Sequence, residues 1–321
     1  MTSQARPLSS YEHLGRTLAP RLFRHFRVDP EGADMRKVFA EHPQLVMAFN
    51  HGPAAGPVLI VAGYLRFIEQ VGAGDRRHFG VTWKAFYDLP VVKHLARFIT
   101  QTEEVFDTAG YVELLRNGTY NDFLVAPEGD HCTFGNGFDI QPFVSHGFVE
   151  IAVRAGVPIL VASHQGSEAW SAELTLSQEA VQSVGRWLPQ RWRKQLDRTS
   201  VLSIPWFPFT PIEAFKMRYD LYHPRVTVAA LDAAGSKAER ALLLQDDAEA
   251  VRAIMQAAVE RLRELPVSAE DRVEPAAPED PRDHLQTEPV EPASAESAST
   301  EPASPAATTS GPLDEAPRAS E

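Results

Sequence analysis

AGYVELLRNGTYNDFLVAPEGD, residues 109–130, reads as one helix-to-strand unit. Ala109 to Arg116 is a helix-length segment that stops at Asn117-Gly118, residue types that accept the left-handed turn ending many helices. Phe123 to Ala126 follows as a short β-rich run and is closed by Pro127-Glu128-Gly129. The pattern recurs downstream. Val144, Phe148, Ile151 and Ala155 place one apolar face on a helix over 144–155, Gly156 stops it, and Val157 to Ala162 supplies the next strand. Working outward, β-rich runs at Leu45 to Phe49, His78 to Thr82 and Arg225 to Leu231 are likewise separated by helix-length segments. Strand-helix alternation predicts an α/β domain, a single central mixed sheet flanked by helices.

The domain has readable edges. Leu244, Ala248, Val251, Met255, Ala258 and Leu262 alternate in steps of three and four, one apolar stripe on a helix that closes the fold. Beyond it, residues 267–321 are Pro, Ala, Glu, Ser and Thr with almost no large apolar side chains, and burial there cannot offset chain entropy. An acidic disordered tail is the expectation. At the other end, Leu18, Leu22, Phe23 and Phe26 interleave with Arg16, Arg21, Arg24 and Arg27 between Leu14 and Val28. This spacing suits a basic amphipathic helix, either lying in an anionic headgroup layer or packed on its own domain, with Pro20 interrupting it. The chain thus divides into a basic segment over 1–30, the α/β domain over 31–265 and the tail.

Composition narrows the functional classes. Of the formal charge of −12, about 10 units lie beyond Pro266, where thirteen acids face three bases. The folded part is therefore nearly neutral, which disfavours nucleic-acid binding through a broad basic surface. Cys132 is the only cysteine, excluding an intrachain disulfide and a Cys-rich zinc site. No apolar run of about 18 residues occurs along the sequence, and Met1 to Ser10 lacks the apolar segment of a secretory signal, so a cytoplasmic protein, peripheral at the inner face of the membrane, is expected.

Chemistry concentrates where strands end. Asn50-His51 follows the first of these runs and precedes Gly52-Pro53-Ala54-Ala55-Gly56, a small-residue turn that leaves an imidazole accessible. An imidazole there can take a proton from a hydroxyl. Glu128-Gly129-Asp130-His131 occupies the equivalent place after a second strand, where open α/β sheets put their ligands. Asp130, His131 and Cys132 show no metal-ligand spacing. Ile204-Pro205-Trp206-Phe207-Pro208-Phe209 could line an acyl groove, touch lipid or fill core, and Arg191, Arg193 and Lys194 precede it as a local basic patch.

Taken in order, Phe26-Arg27-Val28, Asn50-His51, Trp83-Lys84-Ala85-Phe86, Leu89-Pro90, Leu114 to Gly118, Phe123 to Asp130, Gly147 to Ala152, Ala155 to Ile159 and Pro205-Trp206 form a constellation over roughly residues 20 to 235. It resembles the glycerolipid acyltransferase superfamily, including lysophosphatidate acyltransferases and the diacylglycerol acyltransferase-like branch. The resemblance implies a glycerol-3-phosphate acyltransferase-like fold. It also implies transfer of a fatty acyl group from acyl-CoA or acyl carrier protein to a lipid hydroxyl, without a cofactor or metal. His51 matches the family's general base, and Asn50, Glu128, Gly129, Asp130 and His131 fall at its substrate-binding positions.

Two departures specialise that expectation. The family's Asp five residues after the His is Gly56 here, leaving a backbone carbonyl, Asp130 or Glu128 to orient the ring. An acid restored at 56 is then expected to keep or raise activity. The family's Glu-Gly-Thr-Arg loop reads Glu128-Gly129-Asp130-His131, and a block that usually ends in Arg reads Val105-Phe106-Asp107-Thr108. Both changes remove cationic partners for a phosphate and point to a neutral lipid alcohol. A catalytically inactive lipid-binding protein of the same fold is the alternative. A serine hydrolase ranks last, because the chain contains no Gly-x-Ser-x-Gly elbow.

Overall fold

The run Leu45–Phe49 is apolar at every position, as a strand covered on both faces must be. In the computed structural model it is β2 of a six-stranded sheet. The structure describes residues 5–53, 56–82, 85–88, 92–102, 104–206 and 210–274, without the side chains at 85, 86, 92, 95 and 191. Trp83-Lys84, Leu89-Pro90, Phe207 to Phe209 and the tail from residue 275 onward lie outside the described residues.

The strands are β1 (Phe23–Val28), β2 (Leu45–Phe49), β3 (His78–Gly80), β4 (Asp122–Val125), β5 (Ile159–Gln165), β6 (Ser171–Thr175), β7 (Val201–Pro205) and β8 (Ile212–Tyr222). The helices are α1 (Glu12–Leu22), α2 (Met35–Glu41), α3 (Gly56–Val71), α4 (Ala85–Asp88), α5 (Val92–Thr100), α6 (Thr108–Arg116), α7 (Gly147–Ala155), α8 (Gln178–Gly185), α9 (Gln190–Thr199), α10 (Val228–Ala233) and α11 (Lys237–Glu264). The large sheet runs β1-β8-β5-β2-β4-β3, and β6-β7 forms a separate antiparallel ribbon. Within the large sheet, β5 and β8 alone pair antiparallel, so the sheet is mixed as the alternation predicts.

Side-chain alternation along β2 sorts the core into two layers. Leu45, Met47 and Phe49 join Ala19, Leu59, Phe67 and Phe215 under α1 and α3. Val46 and Ala48 join Leu115, Phe148, Ile151 and Val251 under α6, α7 and α11. The six predicted stripe residues of α11 are all buried. Asn117 caps α6, with Gly118 at φ +74°, and Gly156 ends α7 in the left-handed region at φ +73°. Among the described residues, no helix is long and apolar enough to cross a membrane.

Two expectations are corrected. Residues 14–28 are not one helix: α1 ends at Leu22, and Phe23–Val28 is an edge strand parallel to β8. The physical reason is aromatic burial. Phe23 stacks on Phe215 at 4.7 Å, and Phe26 lies 6.4 Å from the same ring, so both side chains are held inside the domain. The basic residues are spoken for as well, Arg16 by Glu12 and Glu69 and Arg27 by Asp271. The segment over 1–30 is thus built into the fold and presents no free apolar face along α1, whose Leu14, Leu18 and Leu22 pack on the core.

The second correction concerns Arg225 to Leu231, which is not a strand. The backbone N–H groups of Arg225 and Val226 both donate to the buried Asp247 carboxylate at 3.0 Å. Thr227 then accepts from Ala230 N–H and starts α10. The strand at this point in the chain is β8, eleven residues long, between β1 and β5.

Candidate active site

The connections leaving β2 and β4 carry the chain to opposite sides of the sheet, to β3 on one side and β5 on the other. Such a switch point opens a crevice beyond the carboxyl ends of the strands. Asn50-His51 follows β2, Pro127-Glu128 follows β4, and Gly166-Ser167 follows β5, all at that end.

Asn50 is buried and spends its amide on the fold. Its Nδ2 donates to the His164 carbonyl at 3.0 Å, and its Oδ1 accepts from His164 N–H at 2.7 Å. These bonds continue the pairing of β2 with β5 past the last ladder residue and fix where His51 starts. Glu128 is the second tie: Oε1 accepts from His51 N–H and Oε2 from Gln141 N–H, each at 2.8 Å. One buried carboxylate therefore joins the ends of β2 and β4 to the segment before α7. Burial raises its pKa to about 7, against those two bonds and the positive charge of Arg252.

His51 is part-buried, and its Nδ1 lies 3.1 Å from the Gly52 carbonyl. With Nδ1–H donating there, Nε2 carries the free lone pair. Burial holds the imidazole below its ordinary value of 6.5, opposed by the Gly52 carbonyl and the Asp130 carboxylate, so the ring is largely unprotonated near neutrality. The orienting group is thus a backbone carbonyl in the same turn. A cavity of about 10 Å³, room for one water, lies between Asn50, Gly52, Glu128 and Gln141.

Gly56 has a positional reason to be glycine. A Cβ on it would sit 2.1 Å from the His51 carbonyl oxygen, closer than any side chain tolerates. Gly56 N–H donates to the Pro53 carbonyl at 2.6 Å, closing the turn. An acid at 56 therefore has no room in this backbone.

The remaining predicted residues split from the base. Gly129 adopts φ +54° and turns the chain after β4. Asp130 Oδ2 accepts from Trp192 Nε1 at 2.6 Å, while its charge acts on the His51 ring. His131 Nδ1 lies 2.8 Å from both the Pro142 carbonyl and Gln195 Nε2. Asp130 and His131 thus hold α9 against this loop. Cys132 is buried, and burial pushes its thiol well up, so it is no ready nucleophile. No group of three His, Cys, Asp or Glu side chains among the described residues is placed to hold a metal ion.

Sequence reasoning missed His164 and Ser167. His164 Nε2 lies 2.9 Å from Ser167 Oγ, its ring stacks near Phe215 at 5.3 Å, and its Nδ1 has no hydrogen-bond partner. Gly52, at φ +63°, packs directly on this pair, where a Cβ would meet Ser167 Oγ at 2.3 Å and His164 Nε2 at 2.9 Å. Burial and the neighbouring His51 push His164 down to about 3, keeping it neutral. The pair is the floor under the turn that follows β2. Its signal in sequence was faint, because β5 runs three residues past Ala162 before Gly166 breaks it.

Scanned against family models and searched against curated proteins, the chain matches none.

Proposed function

We propose that this protein is an O-acyltransferase that moves a fatty acyl group from an acyl thioester to the hydroxyl of a lipid-like acceptor, with His51 as general base. The observation that carries this reading is the His51 ring itself. It stands at the carboxyl end of β2, its backbone is fixed by Glu128, and Nδ1 is engaged by the Gly52 carbonyl so that Nε2 is a free, unprotonated base. In the proposed step Nε2 removes the acceptor hydroxyl proton as the oxygen attacks the thioester carbonyl. The carbon–sulfur bond then breaks, and the imidazolium returns the proton to the leaving thiolate. Donor and acceptor enter as substrates, from acyl-CoA or acyl carrier protein and from a membrane surface, and no cofactor or metal is invoked.

A neutral alcohol fits the loop better than a phosphomonoester. Asp130 adds a negative charge beside His51, and His131 is engaged by Pro142 and Gln195. A lost charge-assisted contact costs about 1.5 to 3 kcal/mol, roughly ten- to a hundredfold in binding. The same contacts make Asp130→Thr with His131→Arg a poor test, since it would release α9. The better experiment supplies the purified chain with labelled acyl-CoA and a panel of neutral lipid alcohols, lysophosphatidate, glycerol 3-phosphate and water. Faster transfer to a neutral alcohol than to either phosphorylated acceptor is expected. Faster lysophosphatidate acylation would sink the acceptor assignment.

One observation favours a second reading, a lipid-binding protein without turnover. The turn closed at Gly56 excludes the family's orienting acid, leaving His51 a carbonyl in its place. Silence across the whole panel together with retained lipid binding is the outcome it expects.

A further inference from the structure

Ten large apolar residues are exposed among the described residues, and five of them fall between Leu174 and Trp206. Trp187 is 87% exposed and Trp206 63%, with Leu174, Ile204 and Val184 beside them in the β6-β7 ribbon and its helical cover. We propose that this sub-assembly, β6-β7 with α8 and α9, docks the protein on an anionic phospholipid bilayer, with Trp187 and Trp206 entering the headgroup region. The surface gives the lipid-acceptor reading above, on which it rests, its place of contact.

The ribbon register puts the apolar side chains on one side. Leu174 pairs with Leu202 and Ala172 with Ile204, and directly opposed residues of an antiparallel pair share a face. Trp206 N–H donates to the Trp170 carbonyl at 2.9 Å, carrying the pairing onward. Leu202 packs with Val181 of α8 and Leu196 of α9, so the helices cover that face at its Leu202 end. Leu174, directly opposite Leu202, and Ile204, two residues further along β7, stay exposed. Trp187 sits in the turn between α8 and α9.

Charge selects the occupant. Arg186 adjoins Trp187, and α9 carries Arg191, Arg193, Lys194 and Arg198 against the single acid Asp197. A second copy of the chain, docking through the same patch about a two-fold axis, would bring two such basic fringes together. Anionic headgroups neutralise the fringe instead, and tryptophan, apolar in body with a polar N–H, is suited to the bilayer interface. The surface is also wired to the candidate site, because Trp192 and Gln195 of α9 bond Asp130 and His131 of the loop facing His51. A bilayer bound here lies next to the base that would act on its lipid.

The test is sedimentation of the full chain with vesicles of phosphatidylcholine alone or mixed with phosphatidylglycerol at about 7:3, with quenching of tryptophan emission by brominated lipid. Binding to the mixed vesicles, salt-sensitive and quenched, is expected. Trp187→Ala with Trp206→Ala should weaken the partition coefficient at least about tenfold. Lys194→Glu with Arg198→Glu should remove the preference for phosphatidylglycerol, and Arg21→Glu on α1 should change neither, all with unaltered circular dichroism. No binding by the parent chain would overturn the proposal, as would an unchanged double-tryptophan variant. A parent dimer in sedimentation velocity that these two substitutions dissociate would assign the face to a second copy. None of these readouts needs turnover, so the docking surface fails or holds independently of His51 chemistry.

Discussion

At the residue scale, space decides what position 56 can be. A carboxylate there would have to displace the His51 carbonyl before it could approach the ring, so an acid at 56 distorts the turn. Gly56→Asp is therefore expected to cost about 1 to 3 kcal/mol of stability and to lower any transfer activity. Thermal melting and the acyl-transfer assay, run side by side, check this. A variant as stable as the parent and more active would show that the turn has another conformation. His51, Glu128 and their loops were legible because they follow strand ends with turn chemistry around them. Their couplings were not: that Glu128 holds the His51 backbone, and that Asn50 holds His164, depends on strands adjacent only in the folded sheet.

Buried titratable groups set the pH dependence, and they pull in opposite directions. His78 is buried between Tyr11 and Tyr64 and pushed down to about 4, and His164 to about 3. Below the ordinary 6.5 the unfolded chain takes up both protons while the folded chain refuses them, so each group removes stability as pH falls. Glu128 acts the other way: held at about 7 against an ordinary 4.5, it removes stability as pH rises through that window. His51, also held below 6.5, joins His78 and His164, so the histidines outweigh Glu128 and stability rises from about pH 4.5 to 6.5. His78→Phe, which keeps the aromatic packing, should make that rise shallower, as read by melting temperature against pH. A slope equal to the parent's would show that His78 does not stay neutral in the fold.

At the scale of elements, β8 was the strand to find. Phe215, Met217, Tyr219 and Leu221 alternate with Lys216, Arg218 and Asp220, a strict period of two, yet the charges mask its place inside the sheet. Their cost is met by partners. Lys216 donates to the Leu262 carbonyl, and Arg218 binds Asp220 and the buried Asp29. By contrast, Arg225 to Leu231 had the β-rich composition but lost its backbone N–H groups to Asp247. Phe23 shows the same lesson, since its spacing fits a helix while its burial belongs to a strand. Phe23→Ala is expected to destabilise the domain by about 3 to 5 kcal/mol in chemical denaturation, as for a fully buried ring. A change below about 1 kcal/mol, typical of an exposed position, would return Phe23 to an interfacial helix.

At the scale of the whole molecule, the sheet divides labour between its ends and its edges. The carboxyl ends of β2, β4 and β5 gather His51, Glu128 and the His164–Ser167 floor, while the β6-β7 ribbon and α8-α9 stand beside them as a separate layer. Fold class, the closing helix and the paired loops were all legible from periodicity and turn residues. The ribbon was not, because its exposed Leu174, Ile204 and Trp206 lack the buried-face pattern that marks a strand. The proposed chemistry depends on one imidazole. The most direct measurement is the rate of labelled acyl transfer to a neutral lipid alcohol by the full chain and by His51→Ala, each verified as folded, across pH 5 to 8. A loss of at least about a hundredfold in the variant is expected, with the parent's activity falling on the acid side only below the ordinary histidine value of 6.5. A His51→Ala protein that transfers acyl groups at the parent's rate would contradict the mechanism outright.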